Sequence, residues 1–342
     1  MTDKPLIVMD QHFRHLEELF RPETYDALAD ICRIEGGQNW PMDPGRIDDL
    51  IGEATFHVAA FPRLSAEQIG RAKNLRAVIE VAGGFSEGLA YDTCFDAGVE
   101  VLSSAPGFRQ SVAEMTLAMA LAGGRGLVRE HEAFRNGSEH WLDDRPETDF
   151  TLYGAKVGFI GFGQIARETA RLMAPFAPDV MAYDPFLKDA GADVTLCDLK
   201  TLVEQCRVVV MAAVPSEETR NLLNAKLIQR LQKGALVILI SRAWCVDFPA
   251  LIAATEEGRI CVATDVFPKE PLVQGDALRQ ARNVILSPHR AAAVPGGRHL
   301  IGDMILADVR AILGGRPERQ LKMANPAQVA SLVAAQKGIQ AA

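Results

Sequence analysis

The sequence predicts an α/β protein of two domains, each organised on a parallel sheet. Three observations predict it. The 342 residues suit about two domains at roughly 150 residues each, and each is large enough to bury a core. Short apolar runs alternate with amphipathic segments in two separate stretches, the signature of βα units. Those runs are continuous rather than alternating, as expected of strands covered by helices on both faces.

In the first stretch, strands are expected at 6–9, 55–60, 75–81 and 99–103, with helices at 66–73 and 89–97. A long helix is expected over 111–136, because Ser111 and Glu114 have the spacing of a capping box and an apolar run follows. Gly123, Gly124 and Gly126 inside it argue against an unbroken helix, since glycine costs about 1 kcal/mol in a helix interior, or else mark close packing between helices. The second stretch has strands at 157–160, 179–183, 208–212, 235–240, 260–265 and 284–286, with a short edge piece at 195–196. Its helices fall at 165–173, 200–205, 225–231 and 248–257, and a last amphipathic helix spans 295–313. The tail to Ala342 is rich in Ala and Gln and has no strand partner of its own. It is expected to pack back on the first domain, which makes that domain discontinuous.

Composition narrows the function. The chain has 36 basic and 44 acidic side chains and a formal charge of −8. That balance argues against a nucleic-acid surface, which needs clustered Lys and Arg. No apolar run approaches the roughly 18 residues of a membrane helix, and the start does not read as a secretory signal. The six cysteines (Cys32, Cys94, Cys197, Cys206, Cys245 and Cys261) show no C-x-x-C pair. They read as small buried apolar residues of a cytoplasmic protein, with no disulfide frame and no metal site.

The clearest signature is at 157–166. Gly161, Gly163 and Ala166 give G-x-G-x-x-A between an apolar strand and a helix start, the fingerprint of dinucleotide binding. Gly161 permits the sharp turn, Gly163 lets backbone approach a pyrophosphate, and Ala166 lets the helix lie close to the strand. Phe162, Gln164 and Ile165 complete the turn and the helix N-terminus, whose N–H groups and partial charge suit phosphate. Asp184 ends the next strand, 184 − 163 = 21 residues after the second glycine. An acidic residue about 20 residues on accepts from the adenosine ribose, and the following Pro185 offers no charge to a 2′-phosphate. The cofactor expected is therefore NAD rather than NADP.

Three later segments place polar residues at strand ends, where ligands bind in open α/β sheets. They contain Ser241 with Arg242, Asp265 with Glu270, and Ser287 with His289. Hydride transfer involving a 2-oxo acid needs a cation for the carboxylate, and the Arg fork suits it. It needs a proton carrier at the oxygen, which His provides. It also needs a carboxylate to orient the imidazole and favour its charged form. Arg242, His289 and Glu270 are of these types, although spacing alone does not bring them together.

Over about 75–313 the chain resembles the D-isomer-specific 2-hydroxyacid dehydrogenase family. Its motifs occur in order: VAEMTLAMAL at 112–121, the 161–166 turn, YDP at 183–185, VPSEETRNLLNAKLIQRLQKGALVILISRAWCVD at 214–247, DVFPKEPL at 265–272 and SPH at 287–289. The resemblance implies that Arg242 binds the substrate carboxylate, that Glu270 supports His289, and that His289 is the acid/base. It implies nucleotide contacts at Val214, Pro215, Thr219 and Ser241, and a nicotinamide carboxamide contact at Asp265. A backbone loop for the substrate carboxylate falls on 81–84, with Ala82, Gly83 and Gly84. Two Rossmann- or flavodoxin-like domains facing a central cleft are implied. Residues 1–110 with 302–342 form the substrate domain and 111–301 the NAD domain. A homodimer is implied too, with Trp141 a candidate interface residue.

Departures from the family pattern bear on the substrate. Arg290, Ala291 and Ala292 follow the histidine, Trp244 and Cys245 stand where many members have Gly and a small or aliphatic residue, and the 85–91 loop lacks the common D-x-I-D. Arg109 and Arg290 are candidate extra anion contacts. The function expected is reversible NAD-dependent oxidation of a D-2-hydroxy acid, with no nucleic-acid or membrane partner. Formate oxidation is disfavoured, because the resembling formate enzymes carry Gln where Glu270 stands. An NAD(H)-binding sensor of corepressor type is the alternative, distinguished by its lack of turnover.

Overall fold

The computed structural model describes residues 4–142 and 146–334. Its strands are β1 (Leu6–Asp10), β2 (Arg33–Gly36), β3 (Phe56–Ala59), β4 (Ala77–Glu80), β5 (Glu100–Ser103), β6 (Lys156–Ile160), β7 (Asp179–Tyr183), β8 (Val194–Leu196), β9 (Val208–Met211), β10 (Leu236–Leu239), β11 (Cys261–Thr264), β12 (Val284–Leu286) and β13 (Lys322–Met323). The chain divides into two compact units. One runs to Arg109 and resumes at Ala292, and the other is Gln110–Ala291. The return to the first unit thus comes at 291/292, ahead of the 301/302 boundary expected from sequence. The reason is that the whole helix His299–Leu313 belongs to the first core: Ile301, Met304, Ile305 and Val309 pack among Ile7, Met9, Phe56 and Val58.

The first unit is a six-stranded sheet in the order β13-β5-β4-β3-β1-β2, parallel except for β13. Alternate residues of β1 serve its two faces: Ile7 and Met9 enter one core, and Leu6 and Val8 the other. This is why the run is continuously apolar. Sequence reading missed β2 and the helices Pro22–Ile31 and Pro44–Ile51. β2 is a polar edge strand, RIEG, with no apolar run to mark it. The signals for the helices are local: proline in the first turn of each, and for the second the Asp43 side chain capping Arg46 N–H. The tail corrects another expectation, because it does have a strand partner: β13 runs antiparallel to β5.

The second unit is a seven-stranded parallel sheet in the order β12-β11-β10-β9-β6-β7-β8. β9, β10 and β11 are fully buried. The order reverses at β6, with β7 on one side and β9 on the other, and such a switch point opens a crevice at the strand C-termini. The helix expected at 111–136 is two helices, Arg109–Gly124 and Leu127–Arg135. Gly126 breaks it with φ +56°, and Ser111 lies inside the first helix rather than at its cap. Gly123 and Gly124 pack against the Leu236 side chain and the Phe150 ring, not against a helix.

Candidate active site

Register assembles the site. Leu239 on β10 pairs with Thr264 on β11, and Thr264 pairs with Leu286 on β12. The ladder continues one residue further, with Asp265 N–H donating to Leu239 O and Ser287 N–H to Thr264 O. Three strand ends therefore stop in line, about 4.8 Å apart, and the polar residues after them become neighbours.

His289 and Glu270 meet there. His289 Nδ1 lies 2.6 Å from Glu270 Oε2, and Glu270 Oε1 accepts Phe267 N–H at 2.9 Å. A carboxylate only accepts, so Nδ1 is the donor and Nε2 is left facing away from the pair. Burial works to raise the Glu270 carboxyl. The bonds from His289 and Phe267, with the charges of His289 and Arg242, bring it below its ordinary value. Arg242 follows β10 in extended backbone, and its Nη1 donates to Ser241 O at 2.7 Å. Burial lowers this guanidinium, while Glu270, Cys245 and Asp265 act in the opposite direction. Arg242, Glu270 and His289 thus share one electrostatic neighbourhood at the end of one sheet.

Asp265 underpins the histidine. It is 1% exposed, and its carboxylate accepts Ser287 Oγ–H at 2.5 Å, Arg290 N–H at 2.9 Å and Ala291 N–H at 2.9 Å. These bonds span the segment in which His289 adopts φ +49°, an uncommon conformation for a residue with a side chain. Three internal donors leave the carboxylate about one further acceptor position.

The dinucleotide end is built around Gly161. Its φ is +85°, and a Cβ there would stand 2.6 Å from Ala213 Cα, so only glycine fits. Beyond Gly163 the space is open. The helix Gln164–Met173 has no side-chain cap, which leaves first-turn N–H groups available to an anion. These features fit a pyrophosphate. Asp184 has Oδ2 on Phe162 N–H at 2.9 Å and Oδ1 on Phe186 N–H at 3.0 Å, which ties the end of β7 to the glycine turn. After β9, Val214 is 54% exposed. Thr219 Oγ1 donates to Val214 O and accepts from Ser216 N–H, which shapes the loop containing Pro215. Trp244 braces this loop, with Nε1 donating to Ser216 O at 2.9 Å, and Arg220 stacks 4.4 Å over its ring. The Trp244 departure noted in the sequence is therefore a support for the loop.

In the first unit, the 82–84 loop follows β4, and its donors turn inward. Glu80, 1% exposed, accepts Ala82 N–H at 2.7 Å, Gly83 N–H at 2.9 Å and Gly84 N–H at 2.8 Å. Sequence reading missed Glu80, although a carboxylate closing an apolar strand was a visible signal. The two arginines singled out earlier differ in their engagements. Arg109 Nη1 donates to Pro106 O at 3.2 Å, whereas Arg290 is exposed and, among the described residues, is bonded through its backbone N–H to Asp265.

Comparison with known proteins agrees on one family. Residues 117–291 match the family model of the D-isomer specific 2-hydroxyacid dehydrogenase, NAD binding domain. A D-3-phosphoglycerate dehydrogenase of Archaeoglobus fulgidus is 28% identical over 280 residues, covering 80% of this chain and 52% of the relative. A glyoxylate reductase of Thermofilum pendens is 28% identical over 263 residues, covering 74% of this chain and 76% of the relative. The chain spans about half the length of the phosphoglycerate dehydrogenases it matches. The crystal structure of a phosphoglycerate oxidoreductase from Rhizobium etli superposes with a TM-score of 0.82 at 31% identity, covering 94% of this chain and 99% of that one.

Proposed function

The chain belongs to the D-isomer specific 2-hydroxyacid dehydrogenase family, and on that footing we propose that it interconverts a D-2-hydroxy acid and its 2-oxo acid with NAD. The observation that carries this reading is the 2.6 Å contact between His289 Nδ1 and Glu270 Oε2 at the strand ends of the NAD-binding unit. Bound NAD supplies hydride exchange at its nicotinamide ring. Gly161, Phe162, Gly163, Gln164 and Ile165 hold its pyrophosphate, Asp184 its ribose, and Val214, Pro215, Thr219, Ser241 and Asp265 flank the rest.

The protein side chains do the remainder. With Nδ1–H fixed on Glu270, His289 exchanges the proton of the substrate hydroxyl at Nε2. Glu270 stabilises the imidazolium that forms on oxidation. Arg242 grips the carboxylate with its planar fork and so orients C2, an effect of position rather than of bond-making. Ala82, Gly83 and Gly84 offer the substrate backbone donors only in exchange with Glu80. The free state of all six cysteines supports work in a reducing cytoplasm. The helix Leu127–Arg135 buries none of its residues, and Phe134 and Trp141, 59% and 78% exposed, sit edge to face at 6.1 Å. That apolar face supports a homodimer.

His289→Ala tests the reading. Turnover of NADH with a panel of 2-oxo acids is expected to fall by about 10²–10⁴, while NADH binding, followed by its fluorescence, stays within a few-fold. Undiminished turnover removes His289 from the mechanism. NADH binding by the unaltered protein with no turnover on any acid identifies a sensor instead.

A further inference from the structure

Trp244 stands two residues after Arg242, in the short 3₁₀ turn Ala243–Cys245 of the second unit. Its half-buried ring packs on the core of that unit and reaches across to the loop after β9. The indole Nε1–H donates to Ser216 O at 2.9 Å, and Arg220 Cζ lies 4.4 Å from the ring centroid. The backbone of the same residue adds to the seam, with Asn221 N–H donating to Trp244 O at 3.0 Å. The next residues continue it. Leu223 N–H donates to Cys245 O at 3.1 Å, Leu223 pairs in parallel with Val246, and Cys245 Sγ lies 3.7 Å from Thr219 Oγ1 and 3.8 Å from Ala213 O.

The 214–223 loop and the 242–247 segment are thus stitched side by side. The loop keeps its own shape through Thr219, whose Oγ1 accepts Ser216 N–H at 2.7 Å and donates to Val214 O at 2.9 Å. Those internal bonds do not fix where the loop sits relative to the end of β10, and the indole does. A half-buried indole N–H that loses its acceptor is costly, so ring and loop stay paired. Arg242 begins the same turn in extended backbone, with φ −149° and ψ 145°, and its Nη1 folds back onto Ser241 O at 2.7 Å. The guanidinium therefore takes its direction from the backbone of the turn. A shift of the loop passes through Ser216 and Trp244 to that backbone, and so to Arg242.

We propose that Trp244 is a positioning residue that couples cofactor binding to carboxylate binding: a nucleotide seated against the 214–219 loop fixes, through the indole, the turn that aims Arg242. This rests on the dehydrogenase reading above and adds to it a link between its two ligands. Linkage makes the effect reciprocal. The factor by which NADH raises affinity for the acid is the factor by which the acid raises affinity for NADH. Trp244 acts through Ser216 and Arg242 rather than on the reacting atoms, so its loss falls on binding and on the coupling between ligands, not on the chemical step.

The test titrates NADH and oxamate, an unreactive analogue of a 2-oxo acid, by calorimetry, each alone and each in the presence of the other. In the unaltered protein each is expected to tighten the other about tenfold. Trp244→Phe keeps a ring beneath Arg220 and has no N–H for Ser216 O. It is expected to bring the coupling to within about threefold of none, while melting within a few degrees of the unaltered protein. In turnover with the best acid of the panel, the loss is expected in the KM of NADH and of the acid together rather than in kcat. Coupling that survives in Trp244→Phe overturns the proposal, as does an unaltered protein in which neither ligand tightens the other. Weaker binding of both ligands with their coupling intact makes Trp244 a structural support only, and overturns it too. If no acid is reduced at all, the dehydrogenase reading fails on its own. The titrations need no turnover, and they still decide whether Trp244 links the two ligands.

Discussion

The Glu80 carboxylate accepts the backbone N–H of Gly84 at 2.8 Å, deep under the loop that closes β4. Burial pushes this carboxyl up from its ordinary 4.5 to about 7, against the pull of the Gly84, Gly83 and Ala82 donors and Ser103. The native state therefore holds a proton between those two pH values that the unfolded chain releases. Stability from this group is full below the unfolded value and is lost as pH rises toward the folded one. At about 1.4 kcal/mol per pKa unit, the loss is at most about 3.5 kcal/mol. Urea unfolding at pH 5 and pH 8 measures it, and Glu80→Gln is expected to flatten the difference. An equal pH slope in the variant assigns the effect to another group.

Gly161 and Gly163 make opposite predictions. At Gly161 a side chain collides with Ala213 backbone, at a φ of +85° that L-residues avoid. Gly161→Ala is expected to cost about 2 kcal/mol or more of stability and NADH binding with it. At Gly163 nothing lies within 4 Å of a Cβ. Gly163→Val is expected to melt within a few degrees of the unaltered protein and yet bind NADH at least tenfold more weakly. Thermal melts paired with NADH titration check both, and tight binding by the Gly163 variant would show that the pyrophosphate lies elsewhere.

Asp265 organises the histidine segment through three accepted bonds. Asp265→Asn turns one acceptor into a donor facing other donors, at a cost of about 1–3 kcal/mol. The melting temperature is expected to drop by several degrees and kcat by about tenfold or more, as His289 loses its fixed backbone. Differential scanning calorimetry with steady-state kinetics decides, and full stability with full activity refutes the role.

Asp184 sets the choice of cofactor in this reading. Its carboxylate sits at the end of β7, tied to Phe162 N–H at 2.9 Å. Asp184→Asn retains an acceptor for that bond but removes the charge that repels a 2′-phosphate. The ratio of kcat/KM for NADH over NADPH is expected to fall at least tenfold. A ratio that does not move places the selectivity in other residues.

The residues proposed to carry the chemistry were legible where they stand at the ends of apolar runs. Asp184, Arg242, Asp265 and His289 each follow a strand that the hydropathy pattern marks, and β9 (VVVM), β10 (LVIL) and β11 (CVAT) are buried along their whole length, as their continuous runs require. The break at Gly126 was less legible, because a glycine in an apolar helix reads equally as a contact or as a hinge until its φ is known. β13 was invisible, since two residues have no period.

The sequence by itself determined two α/β units, the dinucleotide turn and the residue types of the site, because these depend on local pattern: continuous strands, glycines at fixed offsets, a carboxylate after a strand. Tertiary structure alone decided which polar groups are already spent and which are not. Glu80 satisfies the loop donors, Asp265 holds the histidine segment, and among the described residues the buried Arg14 Nε has no hydrogen-bond partner. Such pairings depend on strand register and on rings packed from segments far apart in the chain, and no spacing along a single chain encodes them.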